Sequence, residues 1–255
     1  MPEPIIASPE PDDPVLLEQR KYYDERGAHD EDRFFRRGKF DRGPQLNREW
    51  FAEVLEVVRA LTEFAPRGDV LELAVGTGIW TKHLAASAER CTVLDSSAKT
   101  LETLKPRLAP FGTRIEYIHA DIFHWVPRTR YDVVFFGYWL THVPPNLFDR
   151  FWELVHSALK ENGRVFFVDS FDKNSALVRY ESVDPKTHVQ VRKMNDGREL
   201  RVYKVFYEAQ SLGKALHDLG WNATIKTTSK HFLYGIASPT TPAPASSDRP
   251  GDPSQ

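Results

Sequence analysis

The stretch "DVLELAVGTGIW", residues 69–80, runs an apolar segment into two glycines and carries one carboxylate, Glu72, inside the apolar run. A short apolar run bounded by glycines reads as a buried strand. Gly76 and Gly78 have no Cβ, so the backbone after that strand can approach a ligand closely. The helix that follows adds free N–H groups at its N-terminus. In a doubly wound sheet this is the ligand-binding edge, beyond the carboxyl ends of the strands. The bland alternative is a tight strand-to-helix turn that binds nothing.

Outward from this stretch, helix and strand alternate. Helices are predicted at 15–26 and through "QLNREWFAEVLEVVRALTEF", where Leu46, Trp50, Val54, Val57, Val58 and Leu61 share a helical spacing. Then come strand 70–74, helix 79–89, strand 91–95, helix 97–107, strands 114–119 and 131–136, helix 146–160 and strand 163–169. The strands are apolar on both faces, as strands between two helical layers are. The segment "THVQVRKMNDGRELRVYKVFY" alternates around Asn-Asp-Gly and reads as a β-hairpin. A helix at 208–219 precedes two strands, 222–228 and 231–236, whose short connection makes them antiparallel. The expected fold is α/β: a doubly wound seven-stranded sheet with an antiparallel terminal strand, plus a β-hairpin insertion.

One domain is expected over 15–237, with an N-terminal lid at 15–44 and the hairpin-bearing insertion at 170–206. The Pro- and acid-rich residues 1–14 and the Pro/Ser/Thr/Ala-rich residues 238–255 read as disordered tails. Net charge is 34 − 36 = −2 with mixed signs, which argues against a nucleic-acid or membrane coat. A single cysteine, Cys91, forbids an intrachain disulfide and suits a reducing compartment. No run approaches the roughly 18 apolar residues needed to span a bilayer, and the start lacks signal-peptide features. A cytoplasmic protein, monomeric or homodimeric, is expected.

Two further acids sit at strand ends. Asp95 closes "CTVLD", where a carboxylate can accept hydrogen bonds from both ribose hydroxyls. Asp121, in "HADIFHW", follows the third strand and can accept from an adenine amino group. Each alone is an ordinary cap or surface charge, but acids at three successive strand ends outline an adenosine site. The nicotinamide pattern G-x-G-x-x-G places its glycines on Ala74, Gly76 and Ile79, so two of three positions fail.

"VLELAVGTGIWT" instead resembles the first motif of class I S-adenosylmethionine-dependent methyltransferases, E/D-x-G-x-G-x-G, with Ala74 at the first glycine. "VLDSSAKTLE", "IHADIF" and "YDVVFFGYWLTHVPP" fit the later motifs of that family. The resemblance covers roughly residues 45–236 and implies a Rossmann-like fold. It also implies transfer of a methyl group from S-adenosyl-L-methionine to O, N or S by in-line displacement. Residue by residue it implies ribose contact by Asp95, adenine contact by Asp121, and Ser96 or Ile122 beside the base. Glu72 would organise the loop around the methionine end, with Gly76 and Gly78 giving it room.

The zwitterionic methionine end needs polar partners, which Tyr22, Tyr23 and Arg26 can supply if their helix folds over the pocket; a plain surface helix is the alternative. "RFFRRGKFDRG", residues 33–43, interleaves bases and aromatics, which suits a lid, a pocket for an acidic substrate or a solvated segment. Beyond the fourth strand, His142 is the candidate base, since imidazole titrates near neutrality; a structural histidine capping the next helix is the alternative. Tyr138 and Trp139 can line an acceptor pocket. The Mg²⁺-dependent catechol-type branch resembles this chain in fold but uses a carboxylate where this chain has "FFGY", and "THVPPNLF" departs from the [DN]-P-P-[YF] signature of amino-group methyltransferases acting on DNA or glutamine, so the expected acceptor is a small molecule, methylated without a metal. An S-adenosylmethionine-binding protein without transfer and a nicotinamide-dependent oxidoreductase are the competing readings.

Overall fold

The computed structural model describes residues 13–26, 29–171, 183–194 and 196–240. Residues 1–12, 27, 28, 172–182, 195 and 241–255, and the side chains of Arg26, His29 and Asp30, lie outside this description. In chain order the elements are α1 (Pro14–Arg26), α2 (His29–Phe34), α3 (Pro44–Phe64), β1 (Asp69–Leu73), α4 (Thr81–Ala85), β2 (Arg90–Asp95), α5 (Ala98–Leu108) and β3 (Ile115–His119). Then follow β4 (Tyr131–Gly137), α6 (Phe148–Ala158), β5 (Leu159–Ser170), β6 (Val189–Lys193), β7 (Glu199–Tyr203), α7 (Ala209–Asp218), β8 (Trp221–Thr227) and β9 (Phe232–Pro239).

Strands whose residues are apolar at every position must be covered on both faces, and this sheet is. Successive side chains of a strand point to opposite faces. Phe135 therefore stacks on Phe166 in the core under α3, while Phe136 stacks on Phe167 in the core under α6. Trp50, Val57, Leu61 and Phe64 of α3 seal one layer; Phe151, Trp152 and Val155 of α6 seal the other. Fully burying such a side chain stabilises the fold by roughly 1.5–3 kcal/mol relative to leaving it exposed. Leu46 departs from the expected apolar face of α3: it is 51% exposed, and burial on that helix begins one turn later at Trp50.

The main sheet has seven strands in the order β3-β2-β1-β4-β5-β9-β8. All neighbours from β3 to β5 are parallel, whereas β9 runs antiparallel to both β5 and β8. The strand order reverses beside β1: β2 lies on one side and β4 on the other. That is the switch point at which such sheets bind ligands. The hairpin forms a separate two-stranded sheet of β6 and β7.

Some boundaries differ from the sequence expectation. The helix expected at 79–89 is confined to Thr81–Ala85, and β5 begins at Leu159 rather than 163. β9 reaches Pro239 and pairs Ser238 with Asn222, so residues 238 and 239, expected in a disordered tail, belong to the sheet. One buried acid was not anticipated. Glu53 of α3 accepts hydrogen bonds from Thr228, from Ser229 Oγ (2.7 Å) and from the His231 N–H (2.9 Å), tying α3 to the β8–β9 turn.

Candidate active site

At the end of β1 the chain turns upward through a loop in which Ala74, Gly76 and Gly78 all have positive φ, 51°, 53° and 71°. The two glycines serve different ends. A Cβ on Gly78 would lie 2.5 Å from Leu104 Cδ2, so this glycine lets the loop pack against α5. A Cβ on Gly76 meets nothing closer than 3.9 Å, and its open side is part of a cavity wall. Asp95 fixes the loop: Oδ2 accepts from Gly76 N (3.0 Å) and Oδ1 from Ser97 N (2.9 Å). Burial raises the Asp95 pKa against those hydrogen bonds. Glu72 lies beneath the loop, 2% exposed and outside the cavity wall, and its Oε2 has no hydrogen-bond partner among the described residues. Burial first, and the Asp95 charge second among the raising causes, push its pKa up to about 8.

A single cavity runs from this loop across Asp95, Ser96, Asp121 and Ile122 to Tyr138, Trp139 and His142. Helix α1 crosses it. Arg20 of α1 pairs with Asp121 Oδ2, Asp24 accepts from Ser97 Oγ (2.5 Å), and Tyr23 lines the cavity. The helix is anchored to the hairpin: Glu18 pairs with Arg201 (2.6 Å), Glu25 with Arg198 (2.5 Å), and Gln19 accepts from Tyr203 N (2.9 Å). Helix α1 and the hairpin, expected in separate features, are therefore joined to each other.

The far end of the cavity is built from four segments. His142 is buried in a turn after β4. Its Nδ1 lies 2.6 Å from the Tyr203 carbonyl, which can only accept, so Nδ1 carries the proton. Its Nε2 therefore accepts from Tyr23 Oη at 2.8 Å. Burial, then the charges of Lys204 and Arg192, hold the imidazole pKa well below 6.5, so the ring is neutral. It caps no helix. Tyr23, expected to serve the methionine end, bonds His142 here, and Arg192 Nη1 donates to its hydroxyl (3.1 Å).

Behind this wall, Asp169 accepts from Thr141 N (3.0 Å) and Thr141 Oγ1 (2.7 Å), and Lys204 Nζ donates to that same hydroxyl (2.7 Å). Burial foremost brings the Lys204 pKa down to about 8. Lys204, Arg192 and Arg33 all reach the cavity wall, whereas the wall's carboxylates, among the described residues, are Asp95 and Asp121 at the other end. Among the basic residues 33–42, Arg36 lies 3.9 Å over Trp50 of α3, while Arg37 lies 4.8 Å over Phe35 and Lys39 5.3 Å over Phe40.

Of the sequence-predicted residues, the structure gathers Ala74, Gly76, Asp95, Ser96, Asp121, Ile122, Tyr23, Tyr138, Trp139 and His142 around the cavity, and leaves Glu72 and Gly78 behind it. Sequence reasoning missed Arg20, Arg192 and Lys204. In the hairpin, Gln190 and Arg192 are buried while Val191 is 46% exposed, an inversion of the usual alternation that hid Arg192 from a reading of the sequence. Among the described residues, no group of three His, Cys, Asp or Glu side chains is placed to hold a metal ion, and no helix is long and apolar enough to cross a membrane.

Known proteins place the chain. A family profile described as a methyltransferase domain matches residues 70–163. The solved complex of DhpI with SAM and HEP is 33% identical, with a TM-score of 0.74, covering 90% of this chain and 100% of that one. DhpI with SAH is 32% identical, with a TM-score of 0.72, covering 90% and 98%. The 1,6-didemethyltoxoflavin-N1-methyltransferase of Burkholderia thailandensis shares the fold at 14% identity and a TM-score of 0.59, covering 92% and 93%. No curated protein matches the chain. The chain belongs to the class I S-adenosylmethionine-dependent methyltransferases; it is an enzyme of that family, and its methyl donor is S-adenosylmethionine.

Proposed function

We propose that this methyltransferase acts on a small molecule, without a metal ion, and methylates an anionic oxygen held between Arg33, Arg192 and Lys204. The observation that carries this reading is the charge at the far end of the cavity: three cations on the wall around a neutral imidazole. An amine acceptor would be repelled there as its cation, whereas an oxyanion gains charge-assisted hydrogen bonds. Such an oxygen is already deprotonated, so no side chain has to remove a proton.

When bound, S-adenosylmethionine supplies a methyl group activated by its sulfonium. The residues present suit that donor. Gly76 leaves the space a Cβ would fill, Asp95 has lone pairs remaining for the ribose hydroxyls, and Asp121 can accept from the adenine amino group. Arg192 and Lys204 hold and orient the acceptor, which is the main contribution a protein makes to so reactive a donor. His142 is a positioning residue: it bonds the Tyr203 carbonyl and Tyr23, and so joins hairpin and α1 at the cavity.

The 2.8 Å bond from Tyr23 to His142 Nε2 favours a second reading, in which a neutral hydroxyl acceptor loses its proton through Tyr23 to His142. The cationic surroundings weigh against it, because each nearby positive charge disfavours an imidazolium. The test is methyl transfer from labelled S-adenosylmethionine to a panel of small carboxylates, phosphate monoesters and phosphonates, beside their neutral alcohol and amine counterparts. Only the anions should be labelled, and His142→Asn should keep most of its kcat. Labelling confined to alcohols, with kcat collapsing in His142→Asn, would establish the second reading instead.

A further inference from the structure

The hairpin turns two polar side chains inward. On β6, Gln190 and Arg192 stand two residues apart on one face, and both are buried, 3% and 6% exposed. Strand pairing sets them opposite Val202 and Leu200 of β7, on an apolar floor that Tyr22 completes. Polar side chains seldom stay in such a place unpaired. These two pair with each other: Arg192 Nε donates to Gln190 Oε1 at 2.9 Å.

That bond does not act alone. Arg192 Nη1 donates to Tyr23 Oη (3.1 Å), and the guanidinium carbon lies 5.1 Å from the Tyr22 ring. A guanidinium is a planar fork, so contacts at Nε and Nη1 together fix its plane and the direction of every N–H it carries. Both Gln190 and Arg192 line the cavity. A long side chain already held in one geometry loses less rotamer freedom when a ligand arrives. The chemistry at position 190 matters as much as its place. A glutamate there would be equally long, but its carboxylate would cancel the charge it orients. The amide carbonyl accepts the same N–H and brings no charge. Resting on the anionic-acceptor reading above, we infer that Gln190 is a positioning residue that aims the Arg192 guanidinium at the acceptor's anionic group without neutralising it.

The test uses the full chain saturated with S-adenosylhomocysteine and titrated calorimetrically with inorganic phosphate. Gln190→Met keeps the length of the side chain and loses the bond; it should bind phosphate about 3- to 10-fold more weakly. Gln190→Glu keeps the bond and cancels the charge, and should bind about 10- to 100-fold more weakly. Repeating Gln190→Met in an Arg192→Lys background separates positioning from support of the fold. An ammonium keeps the charge but has no fork to hold, so the substitution should now cost less than about 2-fold. Affinity for S-adenosylhomocysteine, measured first, shows that each variant is folded; where Gln190→Met has lost it, Gln190→Glu decides. Equal losses in the two backgrounds overturn the inference, because a residue that merely supports the hairpin acts the same way in both. Undiminished phosphate binding in Gln190→Glu overturns it too. Either result leaves the anionic-acceptor reading standing, since wild type still binds phosphate. Absence of phosphate binding in wild type overturns both.

Discussion

The two ends of the cavity are built on opposite plans. The end under the β1 loop is acidic and made largely of main chain: five residues bent through three left-handed φ values, pinned by Asp95 and flanked by Asp121. The other end is basic and made of side chains, drawn from α1, α2, the turn after β4 and the hairpin. A pocket formed by backbone changes little when side chains change. A pocket formed by side chains from four segments can be rebuilt one residue at a time. On the reading proposed above, the donor end is the half fixed by main chain, and the acceptor end is the half that single substitutions can rebuild.

That contrast can be broken at three depths. The deepest is Asp169, the acid behind the basic end, which accepts from Thr141 N, Thr141 Oγ1 and Ser170 N. Asp169→Asn removes the negative charge facing buried Lys204 and should cost about 3 kcal/mol of stability, as for one partner lost from a buried pair. Chemical denaturation reads that loss. Phosphate titration of the same variant should show tighter binding, because the cations then lack their internal counter-charge. Weaker binding would mean the basic end depends on Asp169 for its shape more than for its charge.

Next is Glu72, beneath the acidic end. Its carboxyl keeps its proton in the fold up to about pH 8, but loses it near 4.5 when unfolded. Between those values the native state binds more protons, so the group's contribution to stability falls as pH rises through that window. Glu72→Gln should be near wild type at pH 5 and more stable by on the order of a few kcal/mol at pH 8. Denaturation midpoints at the two pH values check this; a difference that does not grow with pH would place Glu72 in a wetter setting.

The smallest effect belongs to Ala74. An alanine with left-handed φ carries about 1–2 kcal/mol of strain, which glycine relieves at an entropic cost of roughly 0.5–1 kcal/mol. Ala74→Gly should thus stabilise the protein by less than about 1 kcal/mol. A Tm that falls instead would show that the loop relies on the alanine methyl.

These plans also explain what could be read from the residues alone. Asp95 and Asp121 stand within two residues of the strands they follow, so strand periodicity is enough to place them at one edge. The β1 loop is contiguous, and its glycines advertise it. Tyr23 and Arg192 meet across 169 residues, and Gln19 reaches the His142 carbonyl across 123. No local pattern encodes such pairings, so His142 looked equally suited to be a base or a cap, and the contact of Tyr23 with His142 was not foreseen. Lys204 reads as one more charge after a hairpin strand. The hairpin itself was legible as a hairpin, but its polar inner face was not, because Gln190 and Arg192 are buried against α1 and the cavity rather than against an apolar core.

The pairing of α1 with the hairpin has a consequence for synthesis. Glu18 and its partner Arg201 are 183 residues apart. At about 5–20 residues per second, α1 leaves the ribosome roughly 10–40 s before the hairpin that will receive it. Helix α1 therefore waits for its partner, and during that interval the chain has its strand-forming segments β1 to β5 in hand but no hairpin to hold α1 beside them.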